Sequence, residues 1–228
     1  MTTVAIHQPQ YLPYLGFFHK LLHCDVFVAL DNVQFLRRGF QNRNKIKTKQ
    51  GWQWLTVPVV HQPRSEELIN GVRLDSEIPW QRKHWKALVL SYSPAPFFDV
   101  YGDGLKQLLD QEYSGLRDLD MALIRWAMEV LGIKTPVLYS SALGVEGSQT
   151  ERLINICRAT GADCYLSGPG GRRYMDLEAF AAAGITVTWQ EFTSPAYQQV
   201  FPGTGFVPDL AVVDALFSCG PETIKLLR

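Results

Sequence analysis

The chain has 228 residues, 46% hydrophobic and 19% charged, with 22 basic residues against 22 acidic ones. That is globular composition, which excludes a disordered or collagen-like chain. No apolar run approaches the ~18 residues that a membrane span needs, and no basic flank followed by an apolar stretch marks a secretory signal, so a cytoplasmic location is expected.

The first predicted strand, Thr3 to Ile6, runs straight into His7-Gln8-Pro9-Gln10-Tyr11-Leu12-Pro13. Proline lacks an amide donor and fixes its own φ, so the chain must leave the strand there. The loop is dense in side chains that bind or catalyse, and it stands where α/β proteins place their sites, at the carboxyl end of a strand. A helix over Tyr14 to His23 follows. Four further apolar runs read as strands: Val26 to Leu30, Pro136 to Ser140, Asp163 to Leu166 and Ile185 to Trp189. Helical patterns separate several of them, as parallel βαβ units require. Ser148-Gln149-Thr150-Glu151 has the form of a capping box opening a helix through Arg158, and Tyr174 to Ala183 forms another helix.

Between the second and third of these strands, residues 33–131 do not fit the βαβ scheme. Arg43, Lys45, Lys47 and Lys49 alternate with Asn44, Ile46 and Thr48, predicting one basic strand face; Gln50-Gly51 turns the chain into a second strand over Trp52 to Val60. Helical patterns then cover Trp80 to Ser91, Leu105 to Tyr113 and Leu116 to Leu131. The expected fold is α/β, a Rossmann-like parallel sheet flanked by helices. It forms a single domain over residues 1–228, with an inserted β-hairpin and helical subdomain at 33–131.

If the five strands are parallel, their carboxyl ends bring His7, Asp31-Asn32, Ser140-Ser141, the Ser167 to Arg173 loop and Gln190-Glu191 to one edge. His7 is the candidate general base, because imidazole takes a proton near neutral pH, and Asp31 is the candidate residue that orients it. Alternatively, His7 orders the loop and Asp31 forms an Asx turn. In Ser167-Gly168-Pro169-Gly170-Gly171-Arg172-Arg173, glycines allow close backbone approach and the arginines offer charge-assisted bonds to phosphate or carboxylate. The spacing is neither a P-loop nor a dinucleotide fingerprint.

From Asn32 to Ser65 there is no acid, while Arg37, Arg38, Arg43, Lys45, Lys47, Lys49 and Arg64 supply seven positive charges. So lopsided a segment in a neutral protein is an expected anion-binding surface, or else a solvated basic face. Trp52 and Trp54 stand beside it, either buried or stacked on a base or sugar. Cys24, Cys157, Cys164 and Cys219 lack any C-x-x-C pairing and read as free thiols. His19 and His23 lie four apart but lack a third partner, so no metal site is expected. Asp214 sits alone in an otherwise apolar helix pattern, where a carboxylate needs a partner or a cleft.

The opening His7 to Pro13 with Leu15-Gly16-Phe17-Phe18-His19-Lys20, then Asp25 to Val28, Asp31 to Phe35 and Gln41 to Lys47, resemble blocks of the WbqC-like proteins of bacteria. Tyr165 to Gly168 through Tyr174, Pro195 with Tyr197 and Gln199, and Asp214 to Phe217 are similar to later blocks. The family often has serine where this chain has Ala211. The resemblance implies an association with surface-polysaccharide genes and a role in adding glycine to O-antigen sugar.

The residues and the resemblance together lead to an expected transferase, moving an acyl or aminoacyl group, such as glycyl, from a phosphate-bearing donor to a sugar or other small acceptor. The donor would be a nucleotide or a coenzyme A-type compound. His7 and Asp31 are the expected catalytic pair. Gln8, Gln10, Tyr11, Asn32, Arg43, Lys45, Ser167, Gly168, Gly170, Gly171, Arg172, Arg173 and Tyr197 are expected to hold substrate or phosphate. Two alternatives stay open: a nucleotidylyltransferase-like enzyme, although Tyr14-Leu15-Gly16-Phe17 lacks the histidines of an H-x-G-H element, and a non-enzymatic nucleotide- or nucleic-acid-binding module.

Overall fold

The structure is a computed structural model that describes residues 1–60 and 67–228; Arg64 of the basic segment lies outside the described residues. Five strands form one parallel sheet: β1 (Thr3–His7), β2 (Val26–Ala29), β5 (Val137–Tyr139), β6 (Cys164–Ser167) and β7 (Thr186–Trp189). Their spatial order is β5-β2-β1-β6-β7. The chain first builds outward from β1 through β2 to β5, then returns to the other side of β1 with β6 and β7. The order therefore reverses between β1 and β6, the position at which open α/β sheets bind ligands.

The reversal also decides which helices cover which face, because parallel crossovers are right-handed. Alternate β1 residues point to opposite sides. Ala5 packs in the large core with α1 (Leu15–Leu22), α4 (Leu116–Leu131) and α7 (Val212–Cys219). Val4 and Ile6 pack in a second core with α5 (Gln149–Ala159) and Phe180 of α6 (Leu177–Ala182). The expected Rossmann-like sheet and separate hairpin are both present. The hairpin is β3 (Arg43–Thr48) with β4 (Gly51–Thr56), antiparallel from Arg43↔Thr56 to Thr48↔Gly51. It packs on α2 (Trp80–Tyr92), which is followed by α3 (Phe98–Asp110). Residues of β3, β4, α2 and α3 enter the same apolar core as α1 and α7.

Several local expectations are corrected. The uniform basic face of β3 is broken by Lys47, which is fully buried and donates to the Gly205 carbonyl. The C-terminal segment lies over that end of the hairpin, with the Ala211 amide donating to the Lys45 carbonyl at 2.8 Å. α3 begins seven residues earlier than its pattern implied, since Gly102 and Gly104 dilute the helical signal. A Cβ on Gly102 would stand 3.5 Å from Phe98 and Trp85, which stack 5.7 Å apart. Ser148 is the N-cap of α5, but its side chain makes no capping bond, and the next residue, Gln149, has φ +48°. The helix expected from Tyr174 starts only at Leu177. Asp176 caps it by accepting from the Glu178 and Ala179 amides at 3.0 and 3.1 Å. All four cysteines are free, Cys157 and Cys164 buried and the other two half-buried. Among the described residues no helix is long and apolar enough to cross a membrane.

The buried carboxylate of Asp214 has found its partners. It accepts from Tyr92 Oη at 2.8 Å, Tyr197 Oη at 2.7 Å and Gln199 Nε2 at 2.8 Å, and Tyr92 Oη in turn accepts from the Lys47 amide at 2.9 Å. This network ties β3, α2, α7 and the C-terminal segment together where the large core meets the hairpin. A buried group that loses its partner bears its full desolvation cost. Tyr92→Phe is therefore expected to lower stability by about 2–3 kcal/mol in urea unfolding; a change below about 0.5 kcal/mol would mean the network is dispensable.

Candidate functional site

The site at the sheet reversal is assembled from the ends of three strands and one side chain of α1. β1 and β6 run in register from Thr3↔Cys164 to Ala5↔Leu166, so they end together at His7 and Ser167. Gln190 follows β7, its amide donating to the Ser167 carbonyl at 2.7 Å. Its Nε2 donates to the Gly16 carbonyl at 2.6 Å and meets His19 Nδ1 at 3.2 Å, closing one side of the crevice onto α1.

Lys20 is the unusual member. α1 presents Leu15, Phe17, Phe18 and Leu21 to the core, and Lys20 lies three residues beyond Phe17 on that same apolar side. It is 5% exposed, and among the described residues its ammonium makes no hydrogen bond and no ion pair. Helical side chains lean toward the helix N-terminus, which carries Nζ back to the strand ends. A Cβ at Gly168 would stand only 2.9 Å from it. Glycine thus leaves the room that the ammonium occupies. Burial lowers the Lys20 pKa to about 8.

His7 faces the same crevice, edge-on to Phe17 at 5.2 Å. Its Nδ1 lies 2.9 Å from the Gln8 carbonyl. A carbonyl only accepts, so Nδ1 carries the proton and Nε2 keeps its lone pair. Burial, with the Lys20 ammonium as the second cause, lowers the His7 pKa to about 3. His7 is therefore a neutral imidazole in the unliganded protein. The loop behind it is firmly held. The Tyr11 amide donates to the Phe40 carbonyl at 3.1 Å, Asn44 Nδ2 to the Leu12 carbonyl at 2.7 Å, and the Val212 amide to the Pro13 carbonyl at 2.8 Å. These bonds hold Leu12 at φ +43°, a strained conformation for a branched residue.

Of the residues singled out from the sequence, the crevice brings together His7, Ser167 and Gly168. Asp31 does not orient His7. Its buried carboxylate accepts from the Ser141 amide at 2.9 Å and Ser141 Oγ at 2.7 Å, and pairs with Arg117 at 3.4 Å, because β2 ends beside β5 and its following turn. Asn32 Oδ1 accepts from Ser140 Oγ at 2.7 Å in the same cluster. Gln8 Oε1 accepts from Gln41 Nε2 at 2.7 Å, while Gln10 Oε1 is buried without a partner among the described residues. Tyr11 turns into the core, donating to His84 Nδ1 at 2.8 Å; His84 Nε2 in turn donates to the Thr56 carbonyl. Tyr197 belongs to the Asp214 network.

Beyond Ser167 the loop forms a 3-10 turn over Pro169–Arg173. Gly171 is packed so closely that a Cβ would stand 2.4 Å from Ser167 Oγ, whereas Gly170 is open. Arg172 lies over Trp189 at 4.5 Å and Arg173 is exposed. Arg43 and Lys45 lie on the hairpin against Trp54 and Trp52. Sequence reasoning placed Gln190 at this edge of the sheet without giving it a role, and passed over Lys20 as a site residue. A lysine at helical spacing on an otherwise apolar face was the available signal for Lys20.

Desolvation of the Lys20 ammonium costs on the order of 3 kcal/mol. Its folded-state pKa lies below its unfolded one, so the unfolded chain binds more protons between about 8 and 10.5, and stability attributable to this group rises with pH across that window. Lys20→Met is expected to stabilise the unliganded protein by about 1–3 kcal/mol at pH 7, an advantage that shrinks as the pH approaches 10. Paired denaturation curves of the two proteins at pH 7 and 10 check this; a less stable variant at pH 7 would show that the ammonium is satisfied where it lies.

The chain matches the WbqC-like protein family over residues 8–226. It is 36% identical over 235 residues to the uncharacterized protein Rv1507c of Mycobacterium tuberculosis (strain H37Rv), covering 100% of this chain and 98% of that one. No solved structure matches it. The reach of the family match, across both the sheet and the hairpin block, shows that the chain belongs to the WbqC-like protein family.

Proposed function

We propose that this protein is a group-transfer enzyme that seats the phosphate of an activated acyl or aminoacyl donor in the crevice between β1 and β6. One observation supports the reading: a largely buried lysine whose ammonium has no partner among the described residues, facing a glycine at the sheet reversal. A cation kept at such cost is most simply balanced by an anionic ligand. A phosphate at Lys20 is also a suitable leaving group. The acceptor's amine or hydroxyl attacks the donor carbonyl, the bond from that carbon to the phosphate oxygen breaks, and the phosphate-bearing group is released as an anion. Lys20 stabilises the charge that develops on it.

His7 takes a different part from that of a free-standing base. With a pKa of about 3 it binds protons weakly while Lys20 is uncompensated. A seated phosphate neutralises Lys20, removes one of the two causes that depress His7, and so raises its proton affinity only when the donor is present. Nε2 then accepts the hydrogen of the attacking amine or hydroxyl and passes the proton to solvent. The acceptor is a sugar or other small molecule, in keeping with the polysaccharide association that the family resemblance implies.

A thermal-shift screen of the whole chain against pyrophosphate, ATP, CTP, nucleotide sugars and coenzyme A thioesters tests the reading, since a ligand of the folded form raises the melting temperature. At least one phosphate-bearing compound is expected to give a clear rise at pH 7 that is lost in Lys20→Met. In Gly168→Ala, whose φ of −72° accommodates alanine, the added Cβ should displace Nζ and weaken the response. The response should also fade as pH rises above about 8, where Lys20 loses its proton. Failure of every phosphate compound, or an unchanged response in Lys20→Met, would contradict the proposal. Once the donor is known, His7→Ala should slow turnover by about 100-fold or more with the donor still bound.

A further inference from the structure

The hairpin carries a second feature that the crevice does not use. In an antiparallel ladder, directly opposed residues share a face, and the register pairs Lys45 with Trp54 and Lys47 with Trp52. The Lys47 end of this face is closed by the C-terminal segment through Gly205. Opposite Lys47, Trp52 is still 47% accessible and Phe40 is 45%, while Arg43, Lys45 and Trp54 are half-buried. Phe40, Trp54 and Trp52 form a row with successive ring centroids 5.9 and 5.8 Å apart. Two cations accompany it, the Arg43 guanidinium 4.2 Å from the centre of Trp54 and the Lys45 ammonium 5.4 Å from that of Trp52. Among the described residues Arg43 Nε is buried without a partner, while its Nη2 donates to the Arg38 carbonyl. From Asn32 to Ser65 the sequence offers no acid to neutralise them.

We infer that this face of the hairpin binds single-stranded nucleic acid, with unpaired bases stacking on Trp52 and Phe40 and the phosphate backbone following Arg43 and Lys45. Aromatic rings beside cations with no neighbouring acid are the recurring physical solution for such a ligand, because every base has a stacking face and every linkage a negative charge. Three rings in a row offer more than one nucleotide requires, which favours a strand over a mononucleotide. The surface goes beyond the proposed reaction and does not depend on it.

The test is quenching of tryptophan fluorescence in the full chain by an unstructured oligouridylate of about 12 nucleotides, titrated from about 50 to about 200 mM salt. Two phosphate contacts predict a slope of log affinity against log salt of about −1.4. Lys45→Ala should flatten it by about 0.7. Trp52→Ala and Phe40→Ala, both at exposed positions, should each weaken binding roughly 5- to 100-fold, measured with a labelled oligonucleotide, and Trp52→Phe should restore most of the loss. Absence of binding at low salt would overturn the inference. So would Trp52→Ala binding as tightly as the parent, or equally tight binding of uridine monophosphate or of heparin, which has charge but no bases. The two proposals fail separately: Lys20→Met should leave oligonucleotide affinity unchanged, and Trp52→Ala should leave the pyrophosphate response unchanged.

Discussion

The charge of Lys20 is the constraint around which the site is arranged. A lysine so largely buried normally acquires a carboxylate or a set of carbonyls for its ammonium. Here it acquires the space left by Gly168, a neutral imidazole, and the ends of two strands on either side of the sheet reversal. Each feature follows from a simpler one. The reversal of strand order opens the crevice, the apolar face of α1 carries the lysine beneath it, and the glycine after β6 lets the ammonium approach. The Gln8 carbonyl then selects the His7 tautomer whose free lone pair is Nε2.

Such a site needs a rigid frame, because a mobile lysine would simply turn into water. The frame comes from the two apolar cores on opposite faces of the sheet and from the bonds that clamp the loop after β1 to the hairpin and to α7. The Asp214 network extends that frame outward, joining the C-terminal segment to the far side of the hairpin. The hairpin is therefore a rigid outgrowth of that frame. One part of its basic strand is absorbed into structure at Lys47, while Arg43 and Lys45 remain beside exposed rings.

Much of the sheet was legible because its strands are short apolar runs bounded by turn residues, and because the His7-Gln8-Pro9 exit marks a strand end in chemistry as well as pattern. Asp214 was legible as a carboxylate that needed partners. What escaped was set by tertiary contact. Lys47 follows the same alternation as Lys45, and only the C-terminal segment folding back over it distinguishes the two. Ser148 has the right identity for a capping box, but local backbone geometry leaves its hydroxyl out of the cap. Asp31 appeared to be a partner for His7 because both end strands, yet the side on which β5 lies turned its carboxylate toward Ser141 and Arg117. Lys20 was hidden for the opposite reason: a basic residue near the end of a helix usually needs no explanation, and its significance emerges only once its neighbours are seen to be apolar.

The most direct test of this account is the pKa of Lys20 itself, measured by NMR of the labelled lysine side chain in the presence and absence of pyrophosphate. A value near 8 in the free protein, rising when the anion binds, is the expected result. A value near the ordinary 10.5 that does not respond to the anion would show that the ammonium is already solvated, and the crevice would then hold no site of this kind.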